Sequence, residues 1–171
     1  MPIGTHPVKI CVVSEEVSGD RYACVKVEIN KNKVMRYELA MVGNENLDEE
    51  MEKGDYFGFG VDCGMACIAD VKTQEAFKKY WKQREREEEG IDPYNDLFDN
   101  LLEEHFKTNP KYQRECGDWL NWRSPETEYN VLIFASGWGD GYYPCYFGYD
   151  VQGKISAVYI HFIDIQSDYI D

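Results

Sequence analysis

The segment VLIFASGWGDGYYPCYFGYDVQGKISAVYIHFIDI, residues 131–165, predicts three strands in a row. Its first six residues, 131–136, form a continuous apolar run of strand length, which is typical of a central strand. The parts PCYFGYD and ISAVYIHFIDI flank residues 150–153, a turn that ends in a glycine able to adopt positive φ. The segment therefore predicts a buried strand, a glycine-rich turn and a C-terminal β-hairpin.

The N-terminal third of the chain alternates apolar and polar residues with the period of a half-buried strand. Residues 22–29 and 34–42 both show this alternation, and the NKNK sequence between them indicates a turn. We expect them to form a hairpin, preceded by a strand over residues 8–13. In the second strand the alternation places four residues on one face: Met35, Tyr37, Leu39 and Met41.

Two less regular segments follow. Residues 43–55 form an acidic loop, and residues 56–70 read as a strand interrupted by glycines. Such glycines indicate bulges or close approaches of the backbone.

The middle of the chain is predicted to be helical. A first helix begins at Thr73 as N-cap, carries a short apolar stripe, and ends at Gly90. A second helix begins at Asp92, which precedes a proline, and stops at Asn109, with apolar residues at three- and four-residue steps. Residues 111–126 read as irregular.

The predicted fold class is α+β, with a mainly antiparallel sheet of roughly six to eight strands that is sandwich-like or strongly twisted. A two-helix insert is expected at about residues 72–107. The length of 171 residues fits a single domain. The β-rich body of this domain would comprise residues 1–70 and 129–171. The helical insert and the irregular segment would comprise residues 71–128.

Charge and hydropathy exclude several classes of protein. The chain has 32 acidic and 18 basic residues, a net charge of −14, which repels nucleic acids and favours a basic protein partner. The same acidity could serve only to keep the domain in solution. No apolar run approaches the roughly 20 residues that span a bilayer, and no secretory signal is visible, so we expect a cytoplasmic protein.

The cysteines and histidines do not match a metal or disulfide motif. The six cysteines would remain reduced in the cytosol, and Cys11 and Cys24 lie in apolar runs typical of burial. Cys63 and Cys67 have neither the usual zinc spacing nor a second Cys/His pair nearby. We expect no metal and no cofactor; the oligomeric state stays open.

Four pieces of the sequence carry a family resemblance. In order, GTHPVKI, RYELAMV, FGFGVDCGMACIAD and SGWGDGYYPCYFGYDVQGKISAVYIHFIDI resemble a bacterial family catalogued as domain of unknown function 4241. Tyr37 stands where the family has tryptophan, and Ala66 where it has glycine. Family members carry more sequence before the first shared strand, so the resemblance leaves open whether an N-terminal segment is missing. It implies a fold and the location of a site, but no established activity.

The family pattern falls on two groups of residues in this chain. The first is Val61, Asp62, Gly64, Cys67 and Asp70; the second is Gly137, Trp138, Gly139, Asp140, Gly141, Tyr143 and Pro144.

The carboxylates of these motifs have a functional and a structural interpretation. Asp62, Asp70 and Asp140 could surround one pocket and hold a divalent cation or act as acid and base, and Cys67 could be a nucleophile. No histidine stands in either glycine-rich motif to activate a cysteine. Alternatively, Asp140 caps its own turn by accepting neighbouring backbone N–H groups, Asp62 does the same, and Cys67 is buried. The candidate catalytic residues are Asp62, Asp140 and Cys67.

The aromatic residues around Asp140 suggest a surface for a ligand or a partner: Trp138, Asp140, Tyr142, Tyr143 and Tyr146. They could equally be sheet packing. Two functions follow from these alternatives. The first is a non-enzymatic protein- or ligand-binding domain, similar in role to small acidic immunity proteins. The second is a metal-assisted hydrolase that uses Asp62, Asp70 and Asp140.

Overall fold

The computed structural model describes residues 3–17, 19–41, 43, 45–46, 52, 54–125 and 127–169. These residues form nine strands, all paired antiparallel, and three α-helices. The chain divides into two compact units, residues 1–64 with 136–171 and residues 65–135. An α+β fold with antiparallel sheets and a helical insert is thereby confirmed.

The first unit contains a six-stranded sheet. Its strands are β1 (Val8–Glu15), β2 (Gly19–Glu28), β3 (Arg36–Leu39), β4 (Gly58–Val61), β8 (Gly141–Tyr149) and β9 (Ile155–His161). The order is β1-β2-β9-β8-β3, and β4 also pairs with β8. β8 therefore organises the sheet, because it pairs with three other strands.

The predicted C-terminal hairpin is confirmed. β8 and β9 pair antiparallel, and Gly153 in the turn has φ of +71°. The buried carboxylate of Asp150 holds this turn by accepting the backbone N–H groups of Gln152 at 2.9 Å and Lys154 at 3.0 Å. A hydrogen bond from Asn32, followed by those backbone donors, lowers the pKa of Asp150.

The pairing predicted for the N-terminal strands is wrong in one respect. β2 buries Ala23, Val25 and Val27 as its alternation predicts, but its hairpin partner is β1. β3 pairs with β8 instead. Tyr37 is 60% exposed there, and Met35 and Met41 are exposed too, so this stripe faces solvent. Alternation identifies the two faces of a strand but not which face is covered.

The second unit contains a three-stranded sheet: β5 (Met65–Ile68), β6 (Trp119–Arg123) and β7 (Asn130–Ala135), in the order β5-β7-β6. β7 is central, as its apolar run predicts. β6 corrects the expectation that residues 111–126 are irregular. Its Trp122 packs in the core of this unit with Val131 and Ile133, edge-on to the ring of Phe77 at 5.7 Å.

The helices of the insert lie close to their predicted positions. They are α1 (Val71–Glu87) and α2 (Asp99–Thr108), and a π-helical segment, Tyr94–Phe98, directly precedes α2. The predicted N-cap Thr73 is wrong: Asp70 is the N-cap, and its carboxylate accepts the N–H of the buried Thr73 at 2.7 Å. A short helix, α3 (Ile165–Tyr169), follows β9.

In the part of the chain that the structure describes, nine strands lie in two sheets, instead of the six to eight expected in one sheet. The assignment of the whole chain to one domain stays a prediction. Residues 44, 47–51 and 53 of the predicted acidic loop lie outside the described residues. None of the helices in the described part is long and apolar enough to cross a membrane.

Candidate functional site

The two glycine-rich segments, residues 58–64 and 136–141, meet in the first unit. β4 pairs with the first half of β8, from Gly58 opposite Pro144 to Val61 opposite Gly141. A Cβ atom at Gly58 would lie only 2.4 Å from the carbonyl oxygen of Tyr143, so the strands approach each other as only glycine allows. The close backbone contact expected from the glycines is present.

Asp140 joins these two segments. Its Oδ1 accepts the backbone N–H of Gly64 at 2.7 Å, and the N–H of Ser136 donates to the Gly64 carbonyl at 3.0 Å. Gly64 has φ of +67°, a conformation that favours glycine. Both polar backbone groups of Gly64 are therefore held by the turn that follows β7.

The prediction that Asp140 caps its own turn is wrong about the donor. The turn of residues 136–140 is closed by a hydrogen bond from the Gly139 N–H to the Ser136 carbonyl, at 3.1 Å. The hydroxyls of Ser136 and Tyr143 both donate to the Gly139 carbonyl, each at 2.8 Å. With its own turn already closed, Asp140 is available to a donor distant in sequence.

The other two candidate carboxylates also accept backbone hydrogen bonds. Asp62 accepts the N–H of its neighbour Cys63 at 3.1 Å, which agrees with the cap expected there. Asp70, in the second unit, is the N-cap of α1. Across the described residues, no group of three or more His, Cys, Asp or Glu side chains is arranged to hold a metal ion.

Cys67 lies on β5 opposite Ile133. The prediction that it is buried is wrong, because the residue is exposed. Neighbouring atoms nevertheless desolvate the thiol and raise its pKa. A raised pKa lowers the thiolate fraction at neutral pH, which is the opposite of what a catalytic nucleophile needs.

One face of the six-stranded sheet carries several tyrosines. Tyr142 and Tyr146 lie on the same face of β8, since they are four positions apart along the strand. Tyr146 is directly opposite Tyr159 on β9. The ring of Tyr56 stacks on Tyr142 at 6.1 Å, and the ring of Tyr37 meets Tyr159 edge-on at 5.2 Å. We call these five side chains the tyrosine face.

Hydrogen bonds tie one end of the tyrosine face to the backbone. The Tyr142 hydroxyl accepts the N–H of Gly58 at 3.0 Å, and the Tyr56 hydroxyl donates to the Tyr142 carbonyl at 2.8 Å. Tyr142 and Tyr56 stay 51% and 40% exposed although they are held in place. This end of the face is therefore both ordered and accessible.

Gly148 shapes the other end. A Cβ atom there would lie 2.9 Å from Cε2 of Tyr159 and 2.9 Å from Cγ1 of Val34, so the absence of a side chain makes room for the Tyr159 ring. Burial and the hydrogen bond with Tyr37 raise the pKa of Tyr159 to about 12. Burial, with Tyr56 as a smaller cause, also raises the pKa of Tyr146. Both phenols are neutral at physiological pH.

A comparison with family models identifies the chain. The model described as "Protein of unknown function (DUF4241)" matches residues 1–160. The chain belongs to this family. The match confirms the resemblance carried by the glycine-rich segments, and the description assigns no activity. No curated protein and no solved structure matches the chain.

The residues predicted to form one surface of this DUF4241 protein lie in different parts of the structure. Tyr142 and Tyr146 belong to the tyrosine face. Tyr143 is only 8% exposed and packs edge-on against Phe162, so it cannot contribute to a surface. Asp140 is exposed at the junction of the two glycine-rich segments.

Trp138 belongs to a separate cluster. It is half exposed and stacks on Tyr169 at 6.3 Å, and its Nε1 donates to Asp168 at 3.3 Å. The guanidinium of Arg21 lies 5.7 Å from its ring centroid. The ring is therefore accessible but already engaged within the first unit.

Three members of the tyrosine face were missed at the level of sequence: Tyr37, Tyr56 and Tyr159. Tyr37 and Tyr159 show the alternation of their strands, but only the register β3-β8-β9 brings them beside Tyr146. Tyr56 lies outside the strands and carries no periodic signal.

A cavity of about 740 Å³ lies in the second unit, between α1 and the residues Pro125, Thr127 and Tyr129. Lys72, Lys79, Arg84 and Tyr129 are among its lining residues. Neither Asp70 nor Cys67, the candidate residues of this unit, contributes to its wall. The cavity therefore gives no support to the predicted catalytic set.

Proposed function

We propose that this protein is a non-enzymatic protein-binding domain and that the tyrosine face is its binding surface. The observation that carries the proposal is that these tyrosines share one face of the sheet, in two ring pairs, Tyr56 on Tyr142 and Tyr37 against Tyr159. Tyr56 and Tyr37 are 40% and 60% exposed, and Tyr142 is 51% exposed. Exposed aromatic side chains grouped on one face are typical of a protein-interaction surface.

Tyrosine suits this role for physical reasons. It contributes a large contact area with few rotatable bonds, so little conformational entropy is lost when a partner binds. Its hydroxyl accepts or donates a hydrogen bond, and its ring accepts a cation. Residues of this type are enriched among those that dominate the binding free energy of protein interfaces.

The expected partner is a basic protein. The chain has a net charge of −14, which attracts a cationic surface over a long range. At short range, Nζ of Lys26 already lies 5.7 Å from the ring centroid of Tyr159, so this part of the face accommodates a cation. A cytoplasmic domain that binds and neutralises such a partner, as immunity proteins do, fits these properties.

The metal-assisted hydrolase has less support. Asp62, Asp70 and Asp140 each accept a backbone N–H group and so have a structural role. A hydrolytic centre would need these carboxylates free to bind a cation or a proton.

The proposal is tested by affinity capture with immobilised protein. Wild type is compared with the double variant Tyr37→Ser and Tyr142→Ser, and with Tyr112→Ser as matched control. Tyr112 is 50% exposed but lies outside the tyrosine face, in the second unit. A protein captured by wild type and by the control should bind the double variant at least about tenfold more weakly in a direct titration.

Circular dichroism must show that all three proteins remain folded. Equal affinity for the double variant and the control would contradict the proposal. Catalytic turnover of a substrate by the folded double variant would favour an enzyme instead.

A further inference from the structure

Two cysteines of the first unit face each other across neighbouring strands. Cys11 on β1 and Cys24 on β2 are direct partners in the antiparallel register, immediately before the register shifts between Cys11 and Val12. In an antiparallel pair, directly opposed side chains point to the same face of the sheet. The structure holds both cysteines as free thiols.

The hydrogen-bond pattern gives the separation of the two residues. The N–H of Glu28 donates to the Pro7 carbonyl at 2.9 Å, so every second pair from there is hydrogen-bonded, and Cys11 with Cys24 is one of them. Cα atoms in such pairs are about 5.5 Å apart. Disulfides join residues whose Cα atoms are about 4.4–6.8 Å apart, so a hydrogen-bonded pair lies within the range for a bridge.

The environment of the two thiols differs. Cys11 is exposed, whereas Cys24 is half buried. Burial, and secondarily the neighbouring Cys11, raise the pKa of Cys24 to about 11. The exposure of Cys11 makes it the first point of attack.

We propose that Cys11 and Cys24 form a redox site that reacts with small disulfides of the glutathione disulfide class to give an intramolecular disulfide. The prediction that both cysteines are buried is wrong for Cys11, which is exposed, and Cys24 is only partly buried. The exposure of Cys11 permits this chemistry. No other cysteine in the described strands has a cysteine as its register partner: Cys67 is opposite Ile133, and Cys145 is opposite Ile160.

The reaction has two thiol–disulfide exchange steps. The Cys11 thiolate attacks one sulfur of the small disulfide, forms a mixed disulfide and releases one thiolate. Cys24 is mostly protonated at neutral pH because its pKa is raised, so the second step is the slower one: Cys24 loses its proton and attacks Sγ of Cys11, which forms the Cys11–Cys24 bond and releases the second thiolate. The two cysteines lose two electrons and two protons, and one molecule of small disulfide is reduced to two thiols.

The inference is tested on the purified, reduced full chain with oxidised glutathione as the probe. Trypsin cleaves after Lys9, Arg21 and Lys26 and so places Cys11 in peptide 10–21 and Cys24 in peptide 22–26. We expect mass spectrometry to find these peptides joined, about 2 Da lighter than their sum because two hydrogens are lost. Dithiothreitol should separate them again.

Variants distinguish the two steps. Cys24→Ser should retain glutathione on Cys11, because the second thiol that resolves the mixed disulfide is missing. Cys145→Ser, the matched control on another strand, should form the crosslink to the same extent as wild type. The inference is overturned if wild type retains glutathione on Cys11 as fully as Cys24→Ser does. It is also overturned if peptide 10–21 of wild type is joined mainly to another cysteine.

Discussion

Asp140 shows how one carboxylate can fix two turns at once. It follows a turn that Ser136 and Tyr143 close without it, and it accepts the N–H of Gly64, which lies 76 residues away in the chain. A charged acceptor makes a stronger hydrogen bond than a neutral one. Asp140 thus stabilises the left-handed conformation of Gly64 by satisfying its backbone donor.

We predict that Asp140→Ala lowers the free energy of unfolding by about 1 kcal/mol, the usual net contribution of one hydrogen bond. Asp140→Asn should lose clearly less, because its side-chain oxygen can still accept the Gly64 N–H. Urea unfolding of both variants beside wild type measures the two differences.

Asp62→Ala is the matched control for this prediction. Asp62 is also an exposed aspartate next to a glycine-rich turn, but it accepts only the N–H of the adjacent Cys63, at 3.1 Å. Its removal should therefore destabilise the protein less than Asp140→Ala. An unchanged free energy of unfolding for Asp140→Ala would show that the bond to Gly64 is dispensable and would reopen a functional role for this carboxylate.

For single residues, the sequence predicts local contacts but not contacts between distant parts of the chain. The sequence Gly-Asp-Gly predicts correctly that a turn forms and that the carboxylate accepts a backbone N–H. It cannot identify Gly64 as the donor, because nothing local encodes a contact over such a separation. The same limit applies to the N-cap of α1. Thr73 and Asp70 are both residue types that favour the N-cap, and only the structure of the helix end shows which of them takes this position.

At the scale of the elements, β8 determines what the first unit can present to solvent. One part of β8 pairs with β4, and the other part lies between β3 and β9. Tyr146 is thereby placed opposite Tyr159, whose ring meets Tyr37 of β3, and Tyr142 is stacked by Tyr56, which precedes β4. Gly148 is the position where this arrangement depends on the absence of a side chain.

We predict that Gly148→Ala destabilises the protein by about 1–3 kcal/mol, the usual cost of overpacking. The added Cβ would lie 2.9 Å from the Tyr159 ring, which must move away from Tyr37. Binding of any partner that uses the tyrosine face should weaken as well. Thermal unfolding and the titration used for the double tyrosine variant measure the two effects.

Gly60→Ala serves as the control for stability, because Gly60 lies on β4 and a Cβ atom there has no neighbour within 4 Å. It should keep the free energy of unfolding close to that of wild type. Binding is compared with wild type instead, because Gly60 is directly opposite Tyr142 and its Cβ atom would lie on the tyrosine face. If Gly148→Ala has the stability of Gly60→Ala and the binding affinity of wild type, Gly148 does not shape the face.

Features of the strands that depend on neighbouring residues were predictable from the sequence, whereas features that depend on distant residues were not. The burial pattern of β2, the central position of β7 and the β8–β9 hairpin follow from local periodicity and turn residues. The pairing of β3 with β8 does not, because the partner of a strand is set by long-range register. Since Tyr37 and Tyr159 are neighbours only through that register, the sequence predicted two members of the tyrosine face and not the face itself.

At the scale of the whole molecule, charge is the property that acts over the longest distance. The chain carries 32 acidic and 18 basic residues. Contacts across the tyrosine face act only at close range, whereas a net charge of this size influences a partner before contact. The two contributions should therefore separate in kinetics: charge controls how fast a basic partner arrives, and the tyrosines control how long it stays.

The final prediction measures that separation for a basic partner captured through the tyrosine face. Raising the salt concentration from about 0.01 M to about 0.1 M shortens the screening length from roughly 30 Å to roughly 10 Å. The association rate constant should fall by about tenfold or more, and the dissociation rate constant should change much less. Two kinds of variant separate the contributions. Replacing glutamates by glutamine in the acidic segments 45–52 and 85–89 should reduce the dependence of the association rate on salt. Tyr142→Ser should raise the dissociation rate and leave that salt dependence unchanged.

An association rate that does not respond to salt would remove electrostatic steering from the proposed function. The tyrosine face would then have to account for recognition without help from the net charge.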